Sequence, residues 1–435
     1  MPLQDVRKAR RWLSAEEMGF LSFLFLLIVA LLALNVYLAR ILPGGEWFFL
    51  RWSGARAFLV EHIEPYGTAI AQRVQEVAYG RPALSGEYPY ILNDPFYVVL
   101  LYTPLAVLPE FASMFFPSIA SSLDFPIARG VWMLLSEAAL VGAVLFAIDL
   151  SEWKPPRWLF ILLIGFGLFG FYSVGALISG SPAIFLSFIY LNILRALRSR
   201  SDELAGALMF LVSCQWEMGG LFLLLVVVWA IANRRWNVWV GFGMSLFIVL
   251  VVSFLSYPGW GLPYVRAVLS DWYQGADLNL VRILHDWFPN SRFPLGTLVP
   301  IALGVILLIE CLGSTQAGFR RLVWTSALSL AVTPLMGFAI FPSNHVVLIF
   351  PAILILALVW ERWTRYRGLA SGLILVLALL VPFGIYLRGN VFSNPLFSDL
   401  HSVLPPVAAI IGLYWMRWWV VRSPRTWLDE IEAGK

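Results

Sequence analysis

Apolar residues gather along this chain into stretches long enough to cross about 30 Å of hydrocarbon, separated by short turns rich in Arg, Pro and Gly. These stretches lie near 18–42, 126–149, 157–174, 178–197, 203–214, 216–233, 237–257, 293–312, 321–341, 345–361, 368–387 and 403–421. The pattern predicts an all-α polytopic membrane protein of about twelve transmembrane helices, folded as one integral domain over 1–435. The first stretch is too long for a signal-peptide core and lacks a small-residue cleavage site, so it reads as a retained span. Residues 95–120 are also apolar, but Pro95, Pro104, Pro109 and Pro117 break any helix there into pieces. Making them cross would invert every later turn, so they read as an interfacial or re-entrant helical hairpin.

Lys and Arg are retained on the cytoplasmic side of a bilayer, and their placement sets direction. With Arg7, Lys8, Arg10 and Arg11 inside, the alternate turns also fall inside. Those turns carry Lys154 and Arg157; Arg195, Arg198 and Arg200; Arg234 and Arg235; Arg320 and Arg321; and Arg362, Arg365 and Arg367. The C-terminal segment adds Arg417, Arg422, Arg425 and Lys435, which brings the inside share to 20 of the 30 basic residues. Both termini are expected to be cytoplasmic, in a bacterial plasma membrane.

Composition agrees with this reading. The chain is 60% hydrophobic and 13% charged, against about 25% charged in a soluble domain. A water-soluble fold of this size could not cover so much apolar surface, and a disordered chain would be charge-rich and aromatic-poor. Membrane lipids are therefore the expected surroundings, and no nucleic-acid partner is expected. The two cysteines, Cys214 and Cys311, make no disulfide framework and no metal-ligand spacing.

Two outer loops, 43–125 and 258–292, hold most of the polar chemistry. In the first, Phe48, Trp52, Ala55, Leu59 and Ile63 recur at three and four spacings, predicting an amphipathic helix on the membrane. Glu46 sits at its start, after Gly44–Gly45. It can complement the helix dipole or act as an exposed acid at the mouth of the bundle. Asp94 precedes Pro95, as a turn former or a second acid. Arg51, Arg56, Arg73 and Arg81 can clamp an anionic group or snorkel to lipid phosphates. The second loop mixes Trp260, Trp272, Tyr273 and Trp287 with Arg266, Asp271, Arg282, His285 and Asp286. Aromatic faces with a few polar groups suit carbohydrate, and equally an aromatic belt. His345, at the outer end of its span, is a capped helix-start residue or a phosphate ligand. Glu137, in the middle of the second span, is a buried site or an interhelical hydrogen-bond partner. The chain has no HExxH, GxSxG, P-loop or GxGxxG motif.

Several short motifs in the first loop resemble glycosyltransferase family 87 and its bacterial relatives. They are Trp52-Ser53-Gly54-Ala55-Arg56-Ala57, then Glu64-Pro65-Tyr66-Gly67, then Tyr79-Gly80-Arg81-Pro82-Ala83 and Pro95-Phe96-Tyr97 through Leu108-Pro109. The placement of the two loops and Pro342 to His345, followed by a span containing Pro351, extends the likeness. The resemblance implies the GT-C class, inverting transferases that use polyprenyl-phosphate-linked sugars at the outer membrane face. It implies a sugar, mannose first, moved to a lipid or glycan acceptor, with no certain cofactor or metal beyond the donor substrate. It implies an acid early in the first loop as base, here Glu46 with Asp94 in reserve. Arg56, Arg266, Arg282, His285 and His345 are then the candidates on the substrate and phosphate side. Two departures are visible. Relatives usually show Asp directly before the aromatic that begins the helix; this chain has Trp47 at the position of that Asp, before Phe48, with Glu46 one residue earlier. They often carry Lys-Pro where this chain has Gln215-Trp216-Glu217. The alternative of another class is a carrier of polyprenyl lipid or glycolipid, or an inactive transferase scaffold.

Overall fold

In the computed structural model, residues 15–84, 87–115, 120–274, 279–363, 365–391 and 395–418 are described, and their regular structure is entirely helical. Arg7, Lys8, Arg10, Arg11, Pro117, Arg422, Arg425 and Lys435 lie outside these residues. The chain begins with α1 (Ala15–Ile41) and turns at Gly44–Gly45 into α2 (Glu46–Arg56), which continues as one π-helical turn, Ala57–Glu61. Gly45 has φ 88°, and a Cβ there would stand 2.8 Å from Nε of Arg129, so the turn needs glycine on both counts. Three short helices follow, α3 (Thr68–Tyr79), α4 (Phe96–Leu101) and α5 (Thr103–Phe115). The proline-rich hairpin region is thus broken at Tyr102, with Pro109 inside α5.

The bundle proper runs from α6 (Ala120–Leu150) through α7 (Arg157–Phe169), α8 (Phe171–Ser179), α9 (Ala183–Arg198), α10 (Asp202–Val212), α11 (Trp216–Ala232) and α12 (Asn237–Ser256). The second loop forms α13 (Gly261–Gln274) and α14 (Leu280–Trp287). Then come α15 (Leu295–Ser314), α16 (Phe319–Val332), a 3-10 segment Pro342–Leu348 leading into α17 (Ile349–Arg362), α18 (Arg367–Tyr386) and α19 (Pro395–Trp415).

The described residues contain six helices long and apolar enough to cross a membrane. They are Glu17–Ile41, Asp124–Leu150, Asn237–Ser256, Leu295–Ser314, Pro342–Arg362 and Arg367–Gly389, and α7 with α8, bent by 41°, can make a seventh. The protein is an all-helical, multi-pass membrane protein. The other expected spans fall on α9, α10, α11 and α16, each shorter than 18 residues, and on α19, whose first half carries Ser398, Asp399, His401 and Ser402 and the pair Pro405–Pro406.

Burial separates helices that hydropathy alone cannot. Residues Leu322–Val332 of α16 are buried without a break, whereas only 6% of the α1 window and 17% of the α12, α15 and α18 windows are covered by protein. The first set is core; the second turns most of its surface to lipid. Helices α10 and α12 approach closely, because Gly206 faces the Val238 carbonyl and Gly241 faces the Glu203 carbonyl with no room for a Cβ.

The arginine clusters meet at one end of the bundle. Arg195 and Arg198 pair with Asp149, Arg198 also with Glu152, Arg235 with Asp202, and both Arg321 and Arg417 with Glu310. Near mid-bundle, Asn35 Nδ2 donates to Glu137 Oε2 at 3.0 Å, so that acid joins α1 to α6.

Candidate functional site

At the end away from the arginine clusters, four connections converge on a polar cavity of about 270 Å³. Trp47 and Arg51 enter from α2, Asn93 and Asp94 from the segment before α4, Gln215 and Glu217 from the start of α11, and Ser343 and Asn344 from the 3-10 segment. Helix α13 closes the side with Tyr264. Its Asp271 accepts hydrogen bonds from Tyr88 Oη (3.2 Å) and Asn93 Nδ2 (2.8 Å), which ties the 43–125 and 258–292 segments together.

The electrostatic centre of the cavity is a buried ion pair. Nε of Arg51 stands 2.8 Å from Oδ2 of Asp94, Nη2 donates to Oδ1 at 3.2 Å, and the two side chains are 3% and 4% exposed. Nη1 donates to the Trp47 carbonyl at 3.1 Å. Burial works against the charged form of Arg51, and the Asp94 carboxylate outweighs it, so its pKa is raised. Three of the five guanidinium N–H groups are thereby engaged and two remain. Tyr66 Oη donates to the Asp94 carbonyl at 3.0 Å and fixes the backbone; burial pushes the titration of that phenol up. Trp47 packs on Tyr88 and Phe341 with ring centroids 5.2 Å away in each case, so one wall is aromatic.

The expected residues divide. Asp94 lines the cavity. Glu46 does not: successive helix positions are about 100° apart, and position 47, not 46, faces inward. Glu46 lies instead near Arg129, Tyr79 and Tyr90, and burial raises its pKa against the lowering by its own backbone N–H and by Arg129. Arg129 donates to the carbonyls of Ala39, Leu42, Pro43 and Ile178, and so closes the ends of α1 and α8 around the Gly44–Gly45 turn. Nor does α2 simply rest on a membrane, since Leu50, Arg51, Ser53 and Gly54 are buried along with Phe48, Trp52 and Ala55.

Arg56 bonds Glu110 at 2.8 Å and lies 3.5 Å from Asp124 and 5.5 Å from the Trp52 ring, a bracket between α2, α5 and α6. Arg266 is exposed on α13. Arg282 and His285 are exposed on α14, both near Asp286, at 3.9 and 3.6 Å. His345 is buried, with Nε2 2.7 Å from the Ser402 carbonyl, which can only accept, so Nε2 carries the proton. It belongs to a second, apolar cavity of about 370 Å³ between α8, α17, α18 and α19. The two cavities flank the 3-10 segment: Ser343 and Asn344 line the polar one, His345 and Val346 the apolar one.

In the sequence Glu217 stands out only as part of a departure from a motif, yet it lines the polar cavity beside Gln215 and Trp216. The signal was an acid in the first turn of an apolar helix, a position that usually only complements the dipole. No group of three or more His, Cys, Asp or Glu side chains among the described residues could hold a metal ion. Compared with protein families, with curated proteins and with solved structures, the chain matches none of them.

Proposed function

We propose that this protein is an inverting glycosyltransferase, moving a hexose from a polyprenyl-phosphate donor to an acceptor hydroxyl at the outer membrane face, within a twelve-span GT-C arrangement. The observation that carries the reading is the juxtaposition of two unlike cavities across one 3-10 segment. One is polar, walled by aromatic rings and two carboxylates; the other, of about 370 Å³, is lined almost wholly by apolar side chains. A sugar linked through phosphate to an isoprenoid chain has the same division of chemistry.

In this reading the sugar lies against Trp47 and Tyr88. Asp94 accepts the proton of the acceptor hydroxyl as its oxygen attacks the anomeric carbon and polyprenyl phosphate departs. The free N–H groups of Arg51 offset the charge developing on that phosphate. Glu217 is the second acid within the same cavity. Glu46, set off the cavity, supports the α2 turn. Arg266, Arg282 and His285 stand at the aqueous entrance, and the positive-inside rule places the arginine-rich end and both termini in the cytoplasm.

The test is sugar transfer in lipid nanodiscs with polyprenyl-phosphate sugars, mannose and glucose first, followed by mass spectrometry. Turnover that falls about 10²- to 10⁴-fold in Asp94→Asn is the expected result. Loss confined to Glu217→Gln would move the base to that residue. Donor binding without transfer or hydrolysis across plausible acceptors would refute the transferase and favour a polyprenyl-lipid carrier.

A further inference from the structure

At the arginine-rich end, Glu310 on α15 is 3% exposed and receives two guanidinium groups. Arg417 Nε donates to Oε1 at 2.7 Å, and Arg321 Nη2 lies 3.4 Å from Oε2. Among the described residues, one carboxylate against two cations leaves a local charge of +1. Arg321 lies across α15 at Gly313, where a Cβ would displace its guanidinium. Nε of Arg321 is buried without a partner, and Arg417 is 41% exposed.

Directly beneath this cluster is an apolar groove of about 460 Å³ between α15, α16 and α19, lined by Leu303, Ile306, Ile309, Leu328 and Ile410, with Glu310 and Tyr414 at its head. It opens on the lipid-facing side, since Ile306 and Ile309 in its lining are 42% and 60% exposed. A surplus positive charge at the mouth of a hydrocarbon-lined groove fits one ligand class. The geometry points to a binding site for an anionic phospholipid, its phosphate on Arg417 and Arg321 and an acyl chain in the groove. Arg417 donates to Glu310 through Nε, and its side chain is 41% exposed, so its terminal nitrogens are the groups on which a phosphate would accept charge-assisted hydrogen bonds. By the positive-inside rule this is the cytoplasmic leaflet, which is rich in anionic lipid. The site is separate from both cavities of the proposed transferase and does not depend on that reading.

Native mass spectrometry of the full-length protein, titrated with phosphatidylglycerol and with phosphatidylcholine of the same chains, tests this. Phosphatidylglycerol should bind about tenfold or more tightly, as expected for charge-assisted contacts to one headgroup. Arg417→Gln should erase that preference, and Arg417→Lys, which keeps the charge, should retain it, so the loss is not one of folding. Ile306→Trp, filling the groove from its exposed side, should weaken both lipids. Equal binding of the two lipids to the wild type, or an unchanged preference in Arg417→Gln, would overturn the proposal. So would unaltered binding in Ile306→Trp, or competition by glycerol phosphate alone at the same concentration.

Discussion

Replacing Asp94 by Asn keeps the size of the side chain and removes its charge, which leaves Arg51 as a buried cation with no counter-ion. At about 4 Å and an effective dielectric near 20, the lost attraction is on the order of 4 kcal/mol. Removing one partner of a buried pair costs about 3–5 kcal/mol in practice. The upper part of that range applies here, because the side chains are 3% and 4% exposed and the contact is two-pronged. Arg51→Gln leaves the carboxylate stranded and should cost a similar amount. The double variant strands nothing, so its loss should fall at least about 2 kcal/mol short of the two single losses added together. Thermal unfolding in nanodiscs, with the wild type and three variants in one lipid, gives the cycle. Single losses under about 1 kcal/mol, or additivity within about 0.5 kcal/mol, would show that water reaches the pair and that the cavity is wetter than its burial implies.

Two further outcomes follow from particular positions. Burial raises the pKa of Glu46 above its unfolded value, so the folded state holds that proton more tightly. Stability from this group is then present at low pH and is lost as pH rises from the ordinary carboxylate range, about 4.3, through the raised value. Glu46→Gln should therefore raise the unfolding temperature at pH 8 and give no gain at pH 4; a gain of equal size at both would refute the assignment. Gly206→Ala should cost about 1–3 kcal/mol, because the added methyl meets the backbone of α12 at Val238 and Phe242. Gly243→Ala, with nothing within 4 Å, is the control and should be neutral or slightly stabilising in the same unfolding assay.

What hydropathy carried well was the existence of helices, because backbone groups in hydrocarbon must bond internally and long apolar runs leave no other choice. It could not say which helices are core, since Pro342–Arg362 and Arg367–Gly389 are similarly apolar, yet 78% of the first window and 17% of the second are covered by protein. The arginine end was legible for an electrostatic reason: Arg195, Arg198, Arg235 and Arg321 were expected on one side, and their carboxylate partners Asp149, Asp202 and Glu310 hold them there. The cavity was less legible, because its members come from five distant segments and each looks ordinary alone. Asp94 read as a turn residue before proline, Glu217 as a dipole partner, and Arg51 as an interfacial cation. Position 46 shows the limit most sharply. A carboxylate one residue early in a helix is nearly the same in a motif, but it is rotated by about 100°, from the cavity to the Arg129 side. The aromatic at 47 then takes the inward position, and any acid chemistry in the cavity passes to Asp94 and Glu217. That inversion is testable at one residue: if Trp47→Asp gained transfer activity over the wild type, position 47 would be the better place for the base, and the present chain would be a weakened transferase.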